Sequence, residues 1–163
     1  MEFHPTKPQF YVATHQTIYC YNLQKQTFVN KYPSGSKWIS SIAIHPKGDN
    51  FVIGTYDKKI VWFDSDMSTE PFKTFKYHDK AIRQVTFCNS KYPLFASCSD
   101  DGSINIFYSM IFSDFLQNPL IVPVKLLKAH TVTGGLGVMD VQFHPNQHWL
   151  FSSGADGKVK LFV

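Results

Sequence analysis

Histidine, serine and aspartate stand at His78, Ser97 and Asp101, the residue types of a general base, a nucleophile and an orienting carboxylate. Such a set could transfer acyl groups if its serine were exposed in a pocket beside an oxyanion-binding site. The types return at His130 and Asp156, with a further aspartate at Asp57. A catalytic set is built once, whereas a set that recurs along the chain has a structural duty, so no enzyme is expected. Gly134-Gly135-Leu136-Gly137 could cradle a phosphate, but Val138-Met139-Asp140-Val141 after it reads as strand, where a phosphate loop would open a helix. A flexible connection is expected there. His4, His45 and His144 are metal-ligand types, yet each directly precedes a proline at the same place in a repeat and is expected to shape a turn. Cys20, Cys88 and Cys98 lack CxxC spacing and are expected to be thiols in a reducing compartment, with Cys98 paired opposite about Arg83 in a hairpin centred near Ser90 and Lys91. No cofactor, metal or small-molecule substrate is expected.

The elements that must position these residues are short strands. Leu94 to Phe107 reads as two strands joined by the turn Asp100-Asp101-Gly102. Val52 to Phe63 matches it at an offset of 44, Phe151 to Phe162 at 55, and Phe10 to Tyr21 is a shorter, degenerate copy. A preceding strand ends in Phe3-His4-Pro5, Ile44-His45-Pro46, Phe87-Cys88 or Phe143-His144-Pro145. One hairpin cannot bury itself, so the copies must stack. No window sustains a 3.6-residue apolar stripe. The chain is therefore expected to be all-β, in four units at 1–34, 35–77, 78–129 and 130–163.

The first unit has almost no inner strand and the last has no fourth strand, so both ends are expected to be incomplete, as in a fragment or a truncated product. The edge at Lys158 to Phe162 should then be unpaired and the outer faces open, which favours weak stability, oligomers or aggregation. The period lengthens by about a dozen residues at Tyr108 to Asn118. Met110, Ile111, Phe112, Phe115 and Leu116 make this insertion apolar, either as a docking patch for a partner or as cover for its own unit. Phe72 to Tyr77 reads as the outer strand of the second unit, and Pro119 to Leu127 resumes as that of the third, which tolerates Pro123.

The composition, 44% hydrophobic and 17% charged, is ordinary for a globular protein, and the 16% aromatic share suits stacked sheets filled with rings. No run approaches the roughly 18 apolar residues of a membrane span, and the N-terminus lacks the apolar core of a secretory signal. A soluble intracellular protein with no membrane partner is expected. The net charge of +4 permits contact with RNA. Lys47, Lys58, Lys59 and Lys158, with Trp38, lie in loops or at strand ends, where they could meet phosphates and bases or simply be solvated.

A period near 40 to 45 residues, four short strands per unit and a turn aspartate ahead of Ile-x-Ile-aromatic resemble the WD-repeat propellers. The resemblance implies four consecutive blades of a seven-bladed ring. It also implies hydrogen-bonded sets that stiffen each blade: His78 with Ser97 and Asp101, His130 with Asp156, and Asp57 at the corresponding turn. The tryptophan of those sets is replaced by Phe63, Phe107 and Phe162, and by Tyr21 in the first unit. Phenylalanine has no N–H to donate, so ring packing should carry more of the load. Closer likeness lies in Gly35 to Ser41, His45 to Asn50, Trp62-Phe63-Asp64, Tyr92 to Ser97, Gly135 to Val138, Trp149 to Asp156, and above all Leu116-Gln117-Asn118-Pro119-Leu120-Ile121-Val122-Pro123. These strings resemble the C-terminal propeller of the Bop/Erb family of nucleolar factors for large ribosomal subunit assembly. The resemblance implies a nucleolar or nuclear scaffold that joins a Pescadillo-type protein to a second WD-repeat protein and supports processing of pre-ribosomal RNA. The alternatives are an adaptor of another nuclear or cytoplasmic complex, or a direct RNA-binding module.

Overall fold

Four antiparallel sheets succeed one another along the chain in a computed structural model that describes residues 1–89, 92–111 and 119–163. The first holds β1 (Glu2–Phe3), β2 (Gln9–Ala13), β3 (Thr17–Asn22) and β4 (Thr27–Pro33). The second holds β5 (Ile39–Ile44), β6 (Asn50–Thr55), β7 (Ile60–Asp64) and β8 (Lys73–Phe75). The third holds β9 (Ile82–Phe87), β10 (Leu94–Ser99), β11 (Ser103–Met110) and β12 (Leu120–Lys128), and the fourth β13 (Val138–Phe143), β14 (Leu150–Gly154) and β15 (Val159–Phe162). Every strand pairs with its neighbour in sequence, so each sheet is a meander fixed by its turns. Among the described residues no helix is long and apolar enough to cross a membrane.

The turn after the second strand is the same in three sheets. Lys58, Gly102 and Gly157 donate their N–H to the carbonyls of Thr55, Ser99 and Gly154, and all three have positive φ, at 70°, 83° and 72°. Glycine adopts that conformation freely, whereas Lys58 carries a side chain there. At the other end of the sheets His4, His45 and His144 shape turns with their rings. Nδ1 of His4 accepts from the N–H groups of Thr6 and Lys7, that of His45 from Lys47, and that of His144 from Asn146 and Gln147.

Strand alternation turns these sheets into a stack. In β6, Phe51 and Ile53 meet Tyr11, Ile18 and Cys20 of the first sheet, whereas Val52 turns to the third. Val52, Ile60 and Trp62 pack against Val85, Phe95 and Phe107, and Ala96, Cys98 and Ile104 pack in turn against Val138, Val141 and Leu150. Because β6 is covered on both faces, all six of its residues are buried. Phe51 stacks on Phe63 at 4.7 Å and Phe95 on Phe107 at 4.6 Å, with planes within 10°. Burying each such ring stabilises the fold by about 1.5–3 kcal/mol. The far faces of the first and fourth sheets leave Tyr21, Phe28, Val159 and Leu161 exposed.

Several details depart from the sequence-based expectation. The outer strand expected over Phe72 to Tyr77 shortens to Lys73–Phe75, with Phe72 packed against the core. Tyr108 to Met110, expected within the insertion, extend β11 because they pair with Leu120 to Val122. Pro123 lies opposite Phe107 where the register shifts, so the missing donor falls at a bulge. Cys98 lies opposite Gln84 rather than Arg83, because Phe95 pairs with Phe87 and the register runs unbroken from there to Cys98. The three cysteines are buried thiols, and burial pushes Cys20 and Cys98 above their ordinary range. Phe112, Phe115, Leu116, Ser90 and Lys91 lie outside the described residues.

Candidate functional site

Two hydrogen-bonded sets occupy the third and fourth sheets. His78 precedes β9, Ser97 lies on β10 and Asp101 in the turn that follows. The ring joins the other two, with Nδ1 3.0 Å from Asp101 Oδ2 and Nε2 2.8 Å from Ser97 Oγ. Asp101 also accepts from the Asp79 N–H at 3.0 Å, and from the Ser103 N–H and hydroxyl at 2.9 and 2.5 Å. The Asn105 amide donates to the Tyr77 carbonyl and lies 3.2 Å from His78 Nε2, on the strand that also carries Phe107. In the fourth sheet His130 repeats the arrangement, 2.8 Å from both Asp156 Oδ1 and Ser152 Oγ, and Asp156 accepts from Thr131 and Lys158 N–H groups.

Burial opposes ionisation of Asp101, but the bonds from His78 and Ser103 outweigh it and hold the carboxyl well below its usual range. Asp156 is lowered in the same way by His130 and by backbone donors. Ser97 and Ser152 are buried, and each hydroxyl is committed to a histidine. The arrangement ties the entry of each inner strand to the next two strands and offers no nucleophile to a substrate. Asp57, at the corresponding turn of the second sheet, pairs instead with Lys59 at 2.9 Å; burial opposes its ionisation, but the bonds from Lys59 and Thr55 outweigh it and lower its pKa. Among the described residues no cluster of three or more His, Cys, Asp or Glu could hold a metal.

The five residues considered for RNA do not form one patch. Lys47 lies in the β5–β6 turn, at one end of the second sheet, and six-residue β6 separates it by roughly 20 Å from Lys58 and Lys59. Lys59 Nζ is held by Asp57 and by the Gly35 carbonyl. Lys158 occupies the equivalent turn of the fourth sheet. Trp38 lies beside Tyr56, whose N–H donates to its carbonyl at 2.9 Å. Here the structure adds residues that sequence reasoning passed over. His15 meets Trp38 at 4.3 Å between ring centroids, Trp38 meets Tyr56 at 6.3 Å, and the Arg83 guanidinium lies 5.2 Å over Tyr56. Arg83 is fixed by two-pronged bonds to Asp100, with Nη2 2.6 Å from Oδ2. Spacing could not have found this line, because its members come from three sheets. Ser152 is different: it lies at the offset of 55 from Ser97, so the repeat carried its signal. Met110 is exposed at the end of β11, while Ile111 packs against the core between the second and third sheets.

Residues 26–64, 69–107 and 121–162 match the family model of the WD domain, G-beta repeat. Each match starts on or just before the outer strand of one sheet and ends on the third strand of the next, except that the second stops within β11. Among curated proteins, the chain is 56% identical to a "Ribosome biogenesis protein BOP1 homolog" of Monosiga brevicollis over 99% of its own length and 20% of that protein's. Ribosome biogenesis protein BOP1 of Homo sapiens is 52% identical and ERB1 of Chaetomium globosum 51%, each over 99% of this chain and 21% of the relative. The chain thus spans about a fifth of the length of the relatives it matches. With four stacked meander sheets, the His-Ser-Asp sets and these matches together, the chain belongs to the WD-repeat family as an incomplete β-propeller, similar throughout to the BOP1 and ERB1 ribosome biogenesis proteins.

Proposed function

We propose that the chain is a non-catalytic scaffold in assembly of the large ribosomal subunit, acting in the nucleus and nucleolus. Its sheets are rigid because rings and buried polar sets lock them, and rigid sheets hold their loops in fixed positions for partners. The partners in this reading are a Pescadillo-type protein and a second WD-repeat protein, with precursor ribosomal RNA in the same particle. The observation that carries it is identity of 51–56% to ribosome biogenesis proteins over nearly the whole chain, loops included. Burial of Ser97 and Ser152 supports the non-catalytic part. The test is affinity purification of the tagged chain from nuclear extract. Enrichment of a Pescadillo-type protein and of large-subunit precursor RNA is expected; recovery of neither would defeat the reading.

A further inference from the structure

We propose that two copies of the chain assemble head to tail, the open face of the fourth sheet in one copy packing on the open face of the first sheet in the other. The registers of strand pairing show why these faces fit. On the side toward its predecessor, the second sheet carries the row Ile44, Phe51 and Phe63, and the third carries Phe87, Phe95 and Phe107 at the same pairing positions. On the side toward its successor, the second sheet carries Val52, Ile60 and Trp62. The junctions within the chain join unlike rows. Val52, Ile60 and Trp62 pack on Phe87, Phe95 and Phe107, just as Tyr11, Ile18 and Cys20 of the first sheet pack on Phe51 and Phe63.

Both rows continue onto the faces that stay uncovered among the described residues. In the first sheet Phe3 pairs with Phe10 and Phe10 with Tyr21, as Phe87 pairs with Phe95 and Phe95 with Phe107. In the fourth, Phe151 pairs with Leu161 and Ser153 with Val159, as Val52 pairs with Trp62 and Gly54 with Ile60. Ile60, Trp62 and Phe95 have 0% of their surface exposed, whereas Val159 has 74%, Leu161 50% and Phe3 68%. Large apolar side chains left in water at junction positions mark a surface made for another such sheet. A second copy carries both rows, so it covers both open faces at once. It sets Leu161 of one copy against Phe3 and Phe10 of the other, as Trp62 meets Phe87 and Phe95 at 5.6 Å. Contacts between unlike faces either close into a ring or run on as a polymer. Two chains of four sheets make a ring of eight, within the usual four to eight blades, and once one junction has formed the second forms inside the pair.

The test is sedimentation velocity of the 163-residue chain at protein concentrations from about 1 to 50 μM. A species of twice the 18.7 kDa chain mass is expected, with nothing larger. Val159→Glu with Leu161→Glu, and separately Phe3→Lys with Tyr21→Lys, should each raise the dissociation constant by about tenfold or more. An equimolar mixture of these two variants should recover the dimer, because it holds one intact junction and one where glutamates face lysines. Val124→Glu, on β12 and outside both rows though 54% exposed, should leave the dissociation constant within about twofold. Near-ultraviolet circular dichroism checks the folding of each variant. Where a double variant loses that signal, Val159→Glu or Phe3→Lys alone, at the most exposed position of each row, takes its place. The proposal is overturned if the parent is a monomer throughout, if it grows beyond two chains, or if only one of the two faces proves sensitive, which would mean that like faces meet.

Discussion

The second and third sheets share strand order, turn geometry and offset, yet different polar chemistry holds them. In the third, one histidine ties Ser97 to Asp101. The corresponding residues of the second are Ser34, Ile53 and Asp57. Ser34 caps its own turn by accepting from the Ser36 N–H, Ile53 packs into the apolar core, and Asp57 bonds Lys59. A different buried bond appears instead, from Trp62 Nε1 to Asn50 Oδ1 at 2.7 Å, where the third sheet has Ile106 and Leu94. The contrast teaches that the meander comes from alternating apolar residues and a positive-φ turn. The polar set is one of several ways to finish the interior.

The sharpest way to break this comparison is Trp62→Ala. It removes the ring that meets Phe87 and Phe95 at 5.6 Å and orphans Asn50, so a loss of about 3–5 kcal/mol in urea unfolding is expected. Ile106→Ala, at the same place in the third sheet but only partly buried, should cost clearly less. Next comes His78→Ala, which takes the histidine bond from the buried Ser97 hydroxyl and from Asp101; about 2–3 kcal/mol is expected by the same measurement. Ile53→Val, at the position matching Ser97, should cost only about 0.5–1.5 kcal/mol. Equal losses for these two would mean that the polar set does no more than an apolar filling.

A smaller effect is the response to acid. The Asp101 carboxyl is lowered in the folded state, so its stabilisation is full above the unfolded value of about 3.9 and is lost as pH falls through the folded one. Urea midpoints measured from pH 6 downward should therefore drop below about pH 4, and Asp101→Asn should flatten that drop while lowering the plateau. The smallest change expected is a gain. Lys58→Gly puts glycine at a φ of 70° and should raise stability by about 0.5 kcal/mol, as relief of left-handed strain slightly exceeds the added chain entropy. A decrease in midpoint would show that the lysine side chain does more than occupy the turn.

Much of this was legible in the chain itself. Copies at offsets of 44 and 55 define the sheets, and Ser152 and Asp156 stand 55 residues after Ser97 and Asp101, whereas His130 stands 52 after His78. The strand limits at Phe72 and Tyr108 were less legible, because a hydrophobic residue beside a turn fits either strand or loop until its pairing partner is known.

The sequence alone determined local matters: which residues alternate, which turns demand glycine, and which polar types return at each repeat. These follow from backbone sterics and side-chain period, which act over a few residues. Tertiary structure alone decided that Lys47 lies far from Lys58, that Asn105 joins the His78 set, and that His15, Trp38, Tyr56 and Arg83 form one line across three sheets. Such neighbours are set by how whole sheets stack, and stacking depends on side-chain volumes summed over both faces, which no local spacing encodes.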